Sequence, residues 1–520
     1  MTAFDARPLL IARSCCIALT LTSMSVACGT RTDEAPATDS GAPGAAQDMN
    51  ADRDSDLEET PDMAPDASSP GPDLGEDMAH RDDMSPYSPQ TRALLNTTPE
   101  ACGACHVTHL EDWSGSMHAY ATKDPIFEAM LKKGIEETQG KLDQFCIQCH
   151  APVASKLGDT PVLAPDAEQA IHRMKLDRSK STVAHGVVCT TCHMTTEVEA
   201  TLNAKFSLDT SPTIHGPTGA SEAKQAHASA GLGEVVRSEL LTQSLMCGSC
   251  HNVVNPKGAL LENTFSEWYA GPFNTGNPST DRSCQDCHMP RVEDEIVEGV
   301  TKTMHRHTFV GVDLALIEDF PDKERQYRLV EELLQSAAEL ELRRVQATRG
   351  LALRVDVKNV NNGHALPSGS TADRQVWVHL EVFDQDGRLV FESGMMDANG
   401  DLMDRVDDHS LDPGGDPDLL VYGSFLFDEQ GDHVTFPWQA SRSQDFLLQP
   451  GQTGWREFRI EPERLEGVTS IMARATLRYR TFPPFLIRRL KEEGYLAPDA
   501  VSDTVPVIDM AMKTLSFSFR

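Results

Sequence analysis

Positive charge is scarce in this chain: 46 Lys and Arg stand against 79 Asp and Glu in 520 residues, a formal net charge of −33. A surface this acidic repels phosphate, which excludes nucleic acid as a partner. Long apolar runs are missing beyond the N-terminus, where no segment approaches the roughly 18 uninterrupted apolar residues of a spanning helix. Spare cysteine is missing as well. Of 13 Cys, ten fall in one repeated motif, and the other three are Cys15, Cys16 and Cys28. The folded part therefore has no cysteine left for a structural disulfide.

The repeated motif is Cys-x-x-Cys-His: Cys102/Cys105/His106, Cys146/Cys149/His150, Cys189/Cys192/His193, Cys247/Cys250/His251 and Cys284/Cys287/His288. Two thiols at that spacing can add to the two vinyl groups of a porphyrin while the next His reaches the iron, so each copy is an attachment signature for c-type haem. Zinc is the plain alternative, but zinc knuckles do not require His directly after each Cys pair. With 18 His in the chain, chance supplies that His in only roughly 3–4% of cases. A thioredoxin-like redox pair occurs once, after a strand, and does not fit five copies. Five covalently attached haem c groups are expected, with His106, His150, His193, His251 and His288 as iron ligands.

Residues 1–28 carry Arg7 and Arg13 and then an apolar run from Cys15 to Ala27, the build of a secretory leader too short to span a bilayer. Ser25-Val26-Ala27 before Cys28 suits cleavage that leaves Cys28 first, the lipid-bearing position of a bacterial lipoprotein. Ordinary secretion would leave an unpaired thiol unexplained. The expectation is an exported protein, periplasmic or at the cell surface, anchored by lipid to the outer membrane. Residues 29–97 hold sixteen acids and four bases with almost no branched apolar or aromatic side chains. They read as a disordered acidic stalk, because they cannot bury enough surface to offset chain entropy.

Residues 98–312 contain all five motifs, whose starts lie 44, 43, 58 and 37 residues apart. So little chain per cofactor cannot build separate apolar cores, so the porphyrins must form the core. The fold expected there is mainly α with little regular structure. Thr108 to Lys133 reads as two short helices broken at Asp124-Pro125. Residues 313–342 read as a connecting helix, with Tyr327, Val330, Leu333, Leu334, Ala337 and Ala338 at helical spacing. From 343 to 520 the periodicity alternates, as in Leu351 to Val357, Val376 to Val382 and Arg456 to Ile460, with turns at Asp386-Gly387 and Asn399-Gly400. An all-β antiparallel sandwich domain is expected.

Cys102-Gly-Ala-Cys105-His106 followed by Trp113-Ser-Gly-Ser-Met-His118-Ala119 resembles the first motif and the Trp-x-x-x-x-His-Ala segment of cytochrome c-554 type proteins. His185-Gly-Val-Val-Cys189-Thr-Thr-Cys192-His193 is similar to their third motif, with Met194 in place of the usual Gly. Cys284-Gln-Asp-Cys287-His288-Met-Pro resembles the last motif of pentahaem nitrite reductases and hydroxylamine-oxidising enzymes. The resemblance implies closely stacked, mostly bis-His haems. It places His118 as the distal ligand to the iron of His251, and one of His305 and His307, preferably His307, opposite His193. For the iron of His106 it points to His215 or His227, with His215 preferred for its apolar neighbours. Asn362-Gly-His364-Ala-Leu-Pro-Ser-Gly369 resembles an element of sandwich domains fused to multihaem cytochromes. His364 would then reach the iron of His150 or His288, although the same residues are also plain turn chemistry. His185 is read as orienting a propionate, His109 as solvent-exposed, and His80 as irrelevant.

Four distal candidates against five irons separate the functions. An electron carrier of a respiratory chain, with redox partners in the cell envelope, is the first reading, since bis-His irons leave no room for substrate. The alternative is a nitrogen- or sulfur-oxyanion reductase with one open iron. Against catalysis, the chain has no Cys-x-x-Cys-Lys motif and no evident Tyr for a crosslink to a haem. No catalytic residue is assigned. A third reading makes the C-terminal region a docking module. Partners would carry Lys or Arg patches, if charge steers the encounter.

Overall fold

The computed structural model describes residues 47–48, 85–403 and 415–519. The expected leader, Cys28 with its expected lipid anchor, His80 and most of the expected acidic stalk lie outside the described residues. Within the expected stalk, however, Pro89–Leu95 is a helix, capped by the Ser88 side chain on the Thr91 N–H. Leu94 and Leu95 are buried against Val153, Val188 and Phe206, so folded chain begins before residue 98.

The motif region is built from short helices that start at local signals. Ser88-Pro89, Thr98-Pro99 and Asp124-Pro125 each set a hydroxyl or carboxylate cap before a proline at the first helical position, where its missing N–H costs nothing. The expected break at Asp124-Pro125 separates Met117–Tyr120 from Pro125–Glu137, and Val107–Ser114 precedes them. Between the helices lie two-stranded ribbons that were not anticipated: Val162–Leu163 with Arg173–Met174, Thr195–Val198 with Phe206–Leu208, Thr213–Gly216 with Glu234–Arg237, Val253–Val254 with Leu260–Glu262, and Arg291–Val297 with Val300–His305. The first four have strands of two to four residues, too short for an alternation of apolar residues to register in sequence, and the fifth is crowded with charged residues.

Lys323–Ala337 is the connecting helix, and it buries Gln326, Val330, Leu334 and Ala337 along one stripe. It ends earlier than expected, because Ala338–Val345 is already a strand. That strand pairs with Leu351–Asn359, which pairs in turn with Thr453–Ile460; Gln47–Asp48 lies parallel on the far edge. A seven-stranded sheet runs His433–Val434, Leu420–Phe427, Gln375–Asp384, Ser470–Arg480, Ile508–Ser518, with Leu389–Ser393 and Arg442–Phe446 added at its side. All its pairings are antiparallel. The two sheets share one apolar core, in which Leu353, Val355 and Val357 meet Val376, Val378 and Leu380. The turn Asp386-Gly387 closes a hairpin in which Gly387 takes φ +77°, a conformation open to glycine.

The C-terminal region is not purely β. Pro484–Glu492 is a helix whose buried face, Leu486, Ile487 and Leu490, packs with Ile126, Leu131 and Ile135 of the motif region. Polar bonds reinforce this contact: Lys133 pairs with Glu137 at 2.6 Å and with Glu493 at 2.5 Å, Tyr495 donates to Glu136 at 2.9 Å, and Trp438 donates to Glu137 at 2.7 Å. Leu490→Ala is expected to cost about 2–5 kcal/mol, because a fully buried leucine leaves a cavity between two parts of the chain that share it. A urea titration checks this, and a loss under about 1 kcal/mol would mean that the contact contributes little.

Candidate haem sites

Each motif is one turn of helix. The N–H of His106, His150 and His251 bonds the carbonyl of the first Cys at 3.0, 3.3 and 3.0 Å. Motifs three and five are the helices Cys189–His193 and Cys284–His288. Cysteines three apart and the His after them thus share one face.

The proximal imidazoles are oriented from behind. Nδ1 lies 2.8 Å from Ile296 O for His106, 3.1 Å from Ala121 O for His150, 2.7 Å from His215 O for His193, and 2.5 Å from Val310 O for His288. A carbonyl only accepts, so Nδ1 carries the proton and Nε2 keeps its lone pair for a metal. His251 differs, since its Nδ1 meets the carboxylate of Glu262 at 3.0 Å.

Three of these rings have an imidazole facing them. His193 and His307 stand 6.3 Å apart between ring centres at 14°, His288 and His364 6.3 Å at 19°, and His106 and His227 6.0 Å at 30°. Metal–nitrogen bonds of about 2 Å on both sides of one ion put ring centres roughly 6 Å apart, so the three gaps have the span of a single axial metal. The facing rings are oriented in the same way: Nδ1 of His227, His307 and His364 donates to Ala223 O, His305 O and Ala365 O at 2.8, 2.9 and 2.9 Å. The residues present fit an iron porphyrin with two axial imidazoles.

His118 is half-buried, and burial pushes its pKa down to about 3, with the imidazoles of His251 and then His150 adding to the effect. Its place is set by backbone. Gly186 has φ +70°, and a Cβ there would lie 2.6 Å from His118 O, so the chain passes His118 at glycine distance. Val187 N donates to that same carbonyl at 3.0 Å, and Trp113 Nε1 donates to Val187 O at 2.8 Å.

His215 does not face His106. Its Nε2 donates to Asp209 at 2.9 Å and its carbonyl holds His193, so apolar neighbours were a poor guide and His227, on the helix Ser221–Ser229, takes the place. His305 is likewise engaged elsewhere, donating to Met289 O at 2.6 Å and accepting from Arg291 at 3.1 Å. His109, expected to be exposed, packs 4.4 Å from His307 with Nδ1 buried and unpartnered. Burial lowers its pKa to about 4, with His106 and His193 adding. Nδ1 of His185 bonds Ser181 O at 2.9 Å. The ring of His150 stacks on Phe127 at 3.8 Å and 10°.

The motifs are neighbours at their thiols: Cys102 lies beside Cys189, Cys149 beside Cys250, and Cys247 beside Cys284. One carboxylate ties this assembly together. Asp112, on Val107–Ser114, accepts from Arg306 at 2.6 and 2.5 Å, from Arg325 at 2.7 Å and from His307 N at 3.0 Å. Nothing in its sequence context marked it.

Residues 101–194 match the family model of cytochrome c554 and c-prime, a stretch that includes the first three motifs. A solved penta-heme cytochrome c552 from Thermochromatium tepidum superposes with a TM-score of 0.56 over 82% of this chain and all of its own, at 21% identity. Residues 101–194 are thus similar to a c-type cytochrome family, and the chain shares the fold of the penta-heme protein. No curated protein matches the chain. Among the described residues, no helix is long and apolar enough to cross a membrane. Motifs four and five lie beyond the matched stretch, yet their helical turns and oriented imidazoles repeat those of the first three.

Proposed function

We propose that this chain is an extracytoplasmic pentahaem c-type cytochrome that transfers electrons along closely packed haems of a respiratory chain, with redox proteins of the cell envelope as partners. The facing imidazoles at 6.0 to 6.3 Å carry the reading. Haem, when bound, supplies a one-electron carrier at each motif. The cysteines fix its edge, and His106, His150, His193, His251 and His288 hold it from one side. His227, His307 and His364 close the far side of the first, third and fifth motifs, and His118 that of the fourth. With imidazoles holding the group from both sides, a small molecule would find no room at the iron, which favours transfer over catalysis. The thiol contacts between motifs support transfer by close packing. The two C-terminal sheets, read as a sandwich, supply His364, and Cys28 is the proposed lipid-anchor position.

An oxyanion reductase is the second reading, and it rests on His150. His118 can serve His251 or His150 but not both, and the other described histidines outside the motifs sit opposite other motifs or lie elsewhere. Intact mass and electron paramagnetic resonance test both readings. Five haems are expected, with the irons at His106, His193, His251 and His288 low-spin in the oxidised protein; a high-spin iron at His150 would favour the reductase. Fewer than five haems sinks the pentahaem reading, and five low-spin irons sink the reductase.

A further inference from the structure

Four proximal imidazoles donate Nδ1–H to a backbone carbonyl, and the fifth, His251, donates to the Glu262 carboxylate at 3.0 Å. We infer that Glu262 sets the potential of the haem on Cys247 and Cys250, holding it below the value a carbonyl-bonded imidazole would give. The inference rests on the haem ligation proposed above.

The local fold is built to keep this pair together. Directly after His251 the chain makes a ribbon, Val253–Val254 with Leu260–Glu262, whose return strand ends on Glu262. Asn252 pins the return, since its side-chain oxygen accepts from Phe265 N at 3.1 Å and Ser266 N at 3.2 Å, and its amide donates to Thr201 O at 3.0 Å and Ser266 Oγ at 2.8 Å. Phe265 N also bonds His251 O at 3.0 Å. Glu262 Oε1 accepts a second, longer bond from Thr264 at 3.4 Å, and Thr264 is tied to Ser368 of the C-terminal region at 2.8 Å. The carboxylate is largely enclosed, with 18% side-chain exposure. Charged groups facing it include Arg374, which is held by Asp313 at 2.8 Å, and Glu267, which is engaged by Ser368 and Ala365 N.

A carboxylate is a stronger acceptor than a carbonyl, and a charge-assisted hydrogen bond draws the shared proton further from the ring. The imidazole becomes more basic and a better donor to the metal, which stabilises the more positive, oxidised ion. One electron moves in that couple, and the Nδ1 proton stays between His251 and Glu262 throughout. Placement gives the effect its use. Motif four neighbours motif two at Cys149 and Cys250, motif five at Cys247 and Cys284, and motif three at Cys192 and Cys250. The tuned site is thus the junction of the array.

The test uses the intact haem-loaded protein, with haem on Cys247 and Cys250 verified by peptide mass. In a spectroelectrochemical titration, Glu262→Gln is expected to raise the midpoint of one component of five and leave the other four in place. Glu262→Asp keeps the charge but withdraws the acceptor, and is expected to move the same component in the same direction by less. Both variants should shift the largest g value of one low-spin signal. A raised midpoint in Glu262→Gln alone, with g values unmoved, would reduce Glu262 to a nearby charge and overturn the inference. No change in either variant would also overturn it while leaving the electron-transfer reading intact. Absence of haem from Cys247 and Cys250 in the parent protein would overturn both.

Discussion

His227→Ala is expected to convert one iron from low to high spin, while His215→Ala leaves the spin states unchanged. The two residues lie close in sequence, and chemistry alone does not rank them. In space they differ: the His227 ring stands 6.0 Å from that of His106, whereas His215 is bonded to Asp209 and contributes only its carbonyl to the site. A substitution to Ala keeps that carbonyl, so His193 stays oriented. The helix Ser221–Ser229 buries none of its residues, and Ala is a better helix former than His, so His227→Ala should not unfold anything. The new high-spin signal should integrate to one iron per chain in frozen oxidised protein. An unchanged spectrum in His227→Ala, or a converted one in His215→Ala, would restore the assignment suggested by apolar neighbours.

Asp112→Asn is expected to cost about 3–5 kcal/mol, the range for removing one partner of a buried ion pair. The Asp112 side chain is fully buried, and Arg306 and Arg325, about a quarter exposed, converge on it. Burial alone would raise its carboxyl, but the bonds from Arg306, Arg325 and His307 N outweigh it and hold the carboxyl below the usual range. A carboxyl depressed in the folded state binds its proton more readily when unfolded. Its contribution is therefore complete above the ordinary carboxylate range of about 4 and is lost as pH falls through the depressed value. Urea unfolding of both proteins at neutral and acid pH checks this, with the gap between them closing as the pH drops. Because Asp112 also anchors the backbone of His307, the variant should gain a fraction of high-spin iron. A gap under about 1 kcal/mol at neutral pH would mean that solvent already compensates the arginines.

How much of this was legible depended on distance along the chain. Cys-x-x-Cys-His needs one helical turn, so the five proximal sites could be read from spacing alone. The caps before Pro89, Pro99 and Pro125 are equally local, although the first was hidden in a segment dominated by acids. Facing histidines are joined only by tertiary structure. His307 and His364 stand out in sequence because their flanking motifs resemble known elements, and the structure sets their rings opposite His193 and His288, whereas the polarity of its neighbours does not tell where His215 or His227 lies in space. The helix Pro484–Glu492 was missed since its short apolar face sits among strands. Glu262 and Asp112 carried no signal, because an acid among 79 acids is unremarked until its partner is placed.

The facing pairs also define how the chain is tied. On the proposed ligation, iron closes loops from 106 to 227, from 193 to 307 and from 288 to 364. Each overlaps the next, so every residue from 106 to 364 lies inside at least one cross-linked circuit. Cross-links of this kind restrict the unfolded chain as much as they hold the folded one, and they do so most where loops are long. Thioethers made during maturation would fix one end of each circuit before the chain has folded. The turn at His364 is then the last clasp, and the circuits close fully only once the C-terminal sheets are in place.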